Sequence, residues 1–351
     1  MIKYSTTIAL AILLTNAVHN AHAQGWPTRA VTMIVPFAAG GPLDAQGRML
    51  APPLSDFLHQ SVIVENVVGV GGMAGSARVA KAAPDGYQFL LGGANTHVYN
   101  QTLYSKPLYD AVTDFAPVAM VARTSYVLIT RKDLPVATLP KFISYVRANQ
   151  ATLQFGSASA GSATHLSCVM LDTAIGVNIT HVPYRGAGPA LQELMAGRID
   201  YMCDAISTSL AQIKAGNVKP IAVLRPERSP VLPNVPSVAE SGVSGLDTDG
   251  WTALFLPKAT PATIIQRLAQ AASYALDTPT LHQRWFDMGL RTPEPNERTP
   301  EYLTTWIPVE IERWRVPIKG SGVLIEWIGS GVCKSLTVSP QLLAPADEVI
   351  E

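Results

Sequence analysis

VTMIVPFAAGGPLD, residues Val31–Asp44, decides how the rest of the chain is read. An apolar, β-branched run ends at Pro36, a turn of small residues follows (Ala38, Ala39, Gly40, Gly41), and then a helix starts. Such a turn bares backbone N–H groups at a helix N-terminus, where the dipole and unpaired donors favour an anion. A similar unit returns in the second half. Leu153–Ser157 reads as a strand, Ala158–Gly161 as a turn, and Ser162-Ala-Thr164-His165 as a helix opening. Two such units in separate halves predict two lobes presenting helix ends to one small acidic molecule.

The chain has 351 residues, 48% hydrophobic and 15% charged, enough for two α/β domains with real cores and too apolar for disorder. Its 26 basic and 26 acidic residues balance, with no long basic run, so nucleic-acid binding has no electrostatic support. Residues 1–23 read as an export signal: Lys3, an apolar run from Ile8 to Leu14, and Ala21-His22-Ala23 as the cleavage pattern. The apolar run is well short of the roughly 18 residues that span a bilayer. A soluble, exported protein starting near Gln24 is expected. An oxidising compartment permits a Cys168–Cys203 disulfide, although two small buried hydrophobes fit as well; Cys333 would be left unpaired.

From Val31 to Val223 strand-like runs alternate with helical ones, the pattern of α/β architecture. Helices are expected over Asp44–Leu58, Leu139–Asn149, Ser162–Ile175 and Pro189–Ala196. Beyond Leu224 the chain reads as mainly helical, with start signals at Ser237/Glu240, Thr260-Pro261, Thr278-Pro279 and Thr299-Pro300. Crossings near Val121–Ser125 and Leu224–Ser229 divide the chain into a discontinuous lobe I (24–122 with 226–323) and a lobe II (123–225). Two crossings make a hinge. Residues 324–351 read as an appended tail. Pro52, Pro53, Pro308 and Pro317 fall inside expected helices, where each costs about 3 kcal/mol.

Several chemistries compete here with duller readings. Gly69-Val-Gly71-Gly-Met-Ala74 fits a loose dinucleotide pattern, but the acidic residue expected about 20 positions later is missing, so it reads as a tight turn under a closely packed helix. No G-x-S-x-G serine elbow occurs, and His97, His165 and His181 read as packed or capping residues. A metal set of His165, Cys168, Cys203 and Asp204 lacks zinc-like spacing. Asp44 and Asp204 each read either as a helix N-cap or as a group serving a cleft; Asp44 would then hold the turn, and Asp204 would accept from a ligand amine or hydroxyl. Arg185 reads as a surface cation that could reach a cleft mouth.

Together these segments resemble the Bug-type extracytoplasmic solute receptors of tripartite tricarboxylate transporters. The likeness runs from Trp26-Pro27 to about Val323. It rests on Val35-Pro-Phe37-Ala-Ala-Gly40-Gly41 with Asp44, Val64-Glu-Asn66, Gly69-Val-Gly71-Gly72 and Ala80-Lys-Ala-Ala-Pro-Asp-Gly-Tyr87. It continues through Asp114-Phe-Ala-Pro117, Ser157-Ala-Ser-Ala-Gly161 with His165, and His181-Val-Pro-Tyr184-Arg-Gly186. Ala196-Gly-Arg-Ile-Asp200, Arg228-Ser-Pro230 and Leu232-Pro-Asn-Val-Pro236 with Ala239-Glu240 complete it. The family's usual Arg-Pro before the glycine turn is replaced by Val67-Val68.

The resemblance implies an α/β, type II-like two-lobe periplasmic binding protein with two hinge crossings and an interlobe ligand cleft. It further implies a receptor that captures a small carboxylate and delivers it to membrane permease subunits. Carried onto this chain, the ligand contacts are Phe37, Ala38, Gly40, Gly41 and Asp44, then Asn95, Thr96 and His97 from the same lobe. Lobe II would add Ser157, Ala158, Gly161, Ser162, Thr164 and His165, with Asp204 at the ligand's far end and Tyr184 at the mouth. No catalytic residue, cofactor or metal is assigned, and a monomer is expected. Two other readings compete: an exported hydrolase using the same cleft on a carboxylated substrate, and a receptor weakened by its helix prolines.

Overall fold

Val31-Thr-Met-Ile-Val35 is apolar at nearly every position, which suits a parallel strand covered on both faces. In the computed structural model, which describes residues 25–328 and 332–337, this stretch is β1 (Val31–Val35), with Met33, Ile34 and Val35 fully buried. The expected signal segment 1–23 lies outside the described residues.

After β1 come α1 (Pro42–Leu58), β2 (Val62–Asn66), α2 (Met73–Ala80) and β3 (Gln88–Gly93). A π-helical turn (Asn95–Tyr99) runs on into α3 (Asn100–Leu103), and β4 (Phe115–Thr124) ends this first passage. The second lobe opens with β5 (Tyr126–Arg131), α4 (Leu139–Asn149), β6 (Gln154–Ser157) and α5 (Ala163–Ile175). It continues with β7 (Thr180–Pro183), α6 (Ala187–Met195), β8 (Tyr201–Ala205), α7 (Ile206–Lys214) and β9 (Val218–Val223). The chain then returns on β10 (Gly250–Pro257), α8 (Ala262–Asp277), α9 (Pro279–Asp287), β11 (Leu290–Arg291) and α10 (Pro300–Gly320).

The lobe I sheet has the order β11-β4-β10-β3-β1-β2, and the lobe II sheet β7-β6-β8-β5-β9. β1 is parallel to β2 and β3, and β6 to β7 and β8. The strands running against them, β10 and β5, are those that carry the chain from one lobe into the other. Helices cover both faces of each sheet. In lobe I, Leu50 and Leu54 of α1 pack with Leu268 and Ala272 of α8, while Leu303, Ile307 and Trp314 of α10 pack beneath Tyr99 on the other side. In lobe II, Phe142 and Leu171 of α4 and α5 oppose Leu194 and Leu210 of α6 and α7.

Two expectations are corrected. The region past Leu224 is not mainly helical at its start: GWTALFLP forms β10, buried at every position between β4 and β3. A central strand lacks the polar alternation that identifies a half-exposed one. The return crossing also comes later than residues 224–229. Val238 N–H donates to Val223 O (3.0 Å) and Thr248 N–H to Leu224 O (2.9 Å), while Val238 and Leu246 belong to the lobe II core. The chain therefore leaves lobe II only at Asp249–Gly250. Ser237 and Glu240 do exchange the reciprocal bonds of a capping box (2.8 and 3.1 Å), but they close a turn and no helix, because Gly242 and Gly245 follow at φ +90° and +77°.

The helix prolines are accommodated. α1 runs through Pro52 and Pro53, and α10 through Pro308 and Pro317. Arg48 and Thr304, whose carbonyls lose their partners to Pro52 and Pro308, are exposed residues near water, while Met49 and Arg313, which face Pro53 and Pro317 in the same way, are half-buried. Part of the expected tail forms an antiparallel hairpin, β12 (Val323–Ile328) with β13 (Val332–Thr337). Residues 338–351 lie outside the described residues.

Cys168 of α5 and Cys203 of β8 are disulfide-bonded, with Cα atoms 5.3 Å apart and a sequence separation of 35. Closing a loop of that length removes denatured-state entropy worth about 2–4 kcal/mol. Replacing both cysteines with alanine should lower stability by that amount, read from the urea midpoint and slope together, the slope rising because the uncrosslinked denatured chain exposes more surface. A loss below about 1 kcal/mol would mean the crosslink contributes little.

Candidate functional site

In open α/β sheets, ligands bind beyond the carboxyl ends of the parallel strands. Here those ends face one another across a cleft of about 460 Å³. Lobe I contributes Phe37, Gly41, Pro42, Leu43 and Gln46 after β1, and Gly93 to Thr96 after β3. Lobe II contributes Ala158, Ser159, Ser162, Ala163 and Thr164 after β6, Gly186 and Ala187 after β7, and Asp204, Ala205, Ser207 and Thr208 at the end of β8. The crossings add Thr124, Tyr126 and Gly250 to Thr252.

Four helices, α1, α5, α6 and α7, begin at this cleft. The N-caps of α1, α6 and α7 are Gly41, Gly186 and Ala205, none with a side-chain capping bond. Only α5 is capped, by Ser162 accepting from His165 N–H. Each N-terminus carries roughly half a positive charge in its unpaired N–H groups. Among the described residues lining the cleft none is Lys, Arg or His, and the one acid is Asp204. The positive potential thus comes from the backbone.

Around this lining stands a layer that fixes its shape. Asp44 accepts from Gly40 N–H (2.8 Å), Arg48 Nε (2.9 Å) and Asn66 Nδ2 (3.0 Å), and Asn66 also donates to Phe37 O (2.9 Å). Arg48, Gly40 and Asn66 hold the Asp44 carboxyl down at about 2. Asp44 therefore braces the first turn; it neither caps α1 nor lines the cleft. Ala38 and Gly40 form the exposed tip of that turn. The glycine-rich turn before α2 packs behind it: a Cβ on Gly72 would lie 2.9 Å from Phe37 Cζ and 3.0 Å from Thr96 Cγ2.

His97 is also behind the lining, fully buried and stacked 3.6 Å from Phe255. Burial lowers its pKa to about 3, so it is neutral. Thr96 Oγ1 gives its one proton to Gly93 O (3.1 Å), so His97 Nδ1 donates to Thr96 Oγ1 (2.9 Å). His97 sets the Thr96 hydroxyl, and Thr96 lines the cleft. His165 plays a similar part in lobe II, its Nδ1 accepting from Gly161 N–H (3.1 Å). Gly161 itself is off the lining: its φ of +73° bends the turn against Leu103 of lobe I. Tyr184 is off the lining as well, packed against the lobe II core cluster that holds Ile199 and Met202.

Ser157 Oγ lies 2.6 Å from His181 Nε2, a pairing that would suit a hydrolase if it faced substrate. It does not. Ser157 is fully buried off the lining, and its hydroxyl donates to Ser159 O (2.9 Å), so His181 is the donor in this contact and no base. Cys168 and Cys203 are spent on the disulfide, which breaks the metal set considered with His165 and Asp204.

Of the residues expected from sequence, Phe37, Gly41, Asn95, Thr96, Ala158, Ser162, Thr164 and Asp204 line the cleft; Ala38, Gly40, Asp44, His97, Ser157, Gly161, His165 and Tyr184 do not. Asp204 is fully buried; Oδ1 accepts from Ala205 N–H (2.9 Å), Oδ2 has no partner among the described residues, and burial pushes its pKa up to about 8. Gln46, Tyr126, Ser207, Thr208 and Trp251 were not anticipated; they sit on helix flanks and crossings that carry no motif. Gln46 Oε1, like Asp204 Oδ2, is buried without a partner.

The sequence profile of the tripartite tricarboxylate transporter family receptor matches residues 47–322. Protein BugT of Bordetella pertussis is 32% identical over 305 residues, 87% of this chain and 93% of that protein. MatC from Rhodopseudomonas palustris, solved with bound malate, is 38% identical with a TM-score of 0.74, covering 84% of this chain and 100% of that one. R. palustris Rpa4515, solved with adipate, is 35% identical with a TM-score of 0.75, covering 84% and 97%. With two sheeted lobes, two crossings and helix N-termini turned into the cleft between them, the chain belongs to the tripartite tricarboxylate transporter receptor family and is a Bug-type solute-binding receptor.

Proposed function

We propose that this receptor works in the periplasm as a single chain, captures a small carboxylate between its lobes, and presents it to the permease subunits of a tripartite transporter. The observation that carries the reading is the convergence of four helix N-termini on a cleft lined, among the described residues, by no basic side chain. Unpaired N–H groups in a desolvated cleft stabilise a carboxylate more than they would in water. The malate and adipate of the two R. palustris relatives are carboxylates of a size such a cleft can hold. Phe37, Gly41, Asn95, Thr96, Ala158, Ser162, Thr164 and Asp204 would touch the ligand; Asp44, His97 and His165 would hold those that do. Closure about Ser125 and Asp249 would remove water and create the surface a permease reads.

Thermal melting of the protein lacking residues 1–23 tests this, with small carboxylic acids set against their uncharged amides. Ligand at about 100 times its Kd stabilises by about 3 kcal/mol, a rise of roughly 5 °C or more. Acids alone should produce it. Equal shifts with the amides, or none with any acid in a well-folded sample, would remove the carboxylate reading.

A further inference from the structure

Resting on that reading, we infer that Asp204 meets a dicarboxylate's distal carboxylate as a hydrogen-bond donor, so that capture requires this side chain to carry a proton. Three observations lead there. Asp204 is fully buried at the C-terminal end of β8, directly on the cleft lining. Its Oδ1 is used by Ala205 N–H, whereas Oδ2 has no partner among the described residues, and a buried carboxyl oxygen without one is costly. The partner is then the ligand. An ionised Asp204 would face an incoming carboxylate as a like charge; a protonated one offers it an O–H.

The surroundings favour the proton. Across the register of β5, Tyr126 is the neighbouring titratable side chain, a neutral phenol pushed further up by burial and by Asp204 itself. α7 brings Ser207 and Thr208, which carry no charge, and α5 and β7 bring His165 and His181, both held neutral by burial. Asp249 at the return crossing is taken by Arg225 and Arg291. No cation among the described groups is in place to hold Asp204 ionised, and burial lifts it to about 8.

Calorimetric titration of malate and adipate from pH 6.5 to 9.5 tests the inference, since both ligands stay fully ionised over that range. Affinity should be level up to about pH 8 and then fall by about tenfold per pH unit. Buffers of different ionisation enthalpy at pH 9 should report uptake of close to one proton on binding. Asp204→Asn, whatever its absolute affinity, should bind with a flat profile and no proton uptake. Melting curves at each pH establish that the protein is folded. Binding that is independent of pH in the wild type, or strengthens as pH rises, overturns the role given to Asp204 and leaves the carboxylate reading standing. Failure to bind either acid at any pH overturns both.

Discussion

Asp249→Ala should destabilise the protein by about 3 kcal/mol or more, the cost of removing one partner from a buried charge cluster. Asp249 sits where the chain recrosses to lobe I and is 4% exposed. Its Oδ2 receives Arg291 Nη2 of β11 at 2.5 Å and lies 3.6 Å from Arg225 Nε, on the segment leaving β9. One carboxylate thus ties a lobe I strand and a lobe II exit to the crossing between them. A second clasp stands one turn back, where Arg313 of α10, paired to Glu310 at 2.7 Å, donates to Asp247 O (2.9 Å). Removing Asp249 leaves Arg225, 6% exposed, with the outward-facing Glu227 as its remaining acidic partner among the described residues.

The control lies in the same cluster. Glu227 is 68% exposed, so Glu227→Ala should change stability by less than about 0.5 kcal/mol although it also pairs with Arg225. Urea denaturation of both variants decides the matter. If Asp249→Ala is no worse than Glu227→Ala, the cluster does not hold the crossing. Asp249 also adjoins Gly250, Trp251 and Thr252 of the cleft lining, so loosening it should weaken ligand capture too.

What the sequence made legible follows from how local each signal is. The binding turns could be found because strand, glycine turn and helix start are contiguous, and Val31–Gly41 and Gln154–Thr164 fold as they read. Which side chains face the cleft was not local information. Asp44 and His97 have the chemistry of ligand contacts, yet Arg48, Asn66 and Phe255, some distant in sequence, turn them into supports. Gln46, Tyr126 and Trp251 became lining residues only when the two sheets were set face to face. The return crossing was misplaced for a related reason: Val238 and Leu246 are ordinary apolar residues, and only the finished lobe II core shows that they belong to it.

The buried titratable groups should give stability a maximum near pH 6.5. Burial lowers His97 and His165 to about 3 and His181 to about 4, so the folded protein keeps them neutral where the unfolded chain protonates them. Their contribution is complete above 6.5 and is lost as pH falls toward 4. Asp172, which accepts the Tyr201 hydroxyl at 2.8 and 2.9 Å, and Asp204 are both raised by burial to about 8. Their contribution has the opposite sign, complete below about pH 4 and lost as pH rises to 8. Burial raises Asp249 and Glu310 as well, against the pull of their arginines, and they act in the same direction as this pair. From pH 4 to 6.5 the three histidines work against the carboxyls, and stability climbs by at most about 1 kcal/mol per pH unit, less wherever Asp249 and Glu310 also titrate. Above 6.5 only the carboxyls titrate, and it falls by roughly twice that rate until about pH 8. Urea midpoints from pH 4.5 to 8.5 should trace this peak, and Asp204→Asn should nearly halve the upper limb. A flat profile from pH 6 to 8.5 would mean the buried carboxyls are ionised in the folded protein, and would withdraw the proton from Asp204 in the cleft as well.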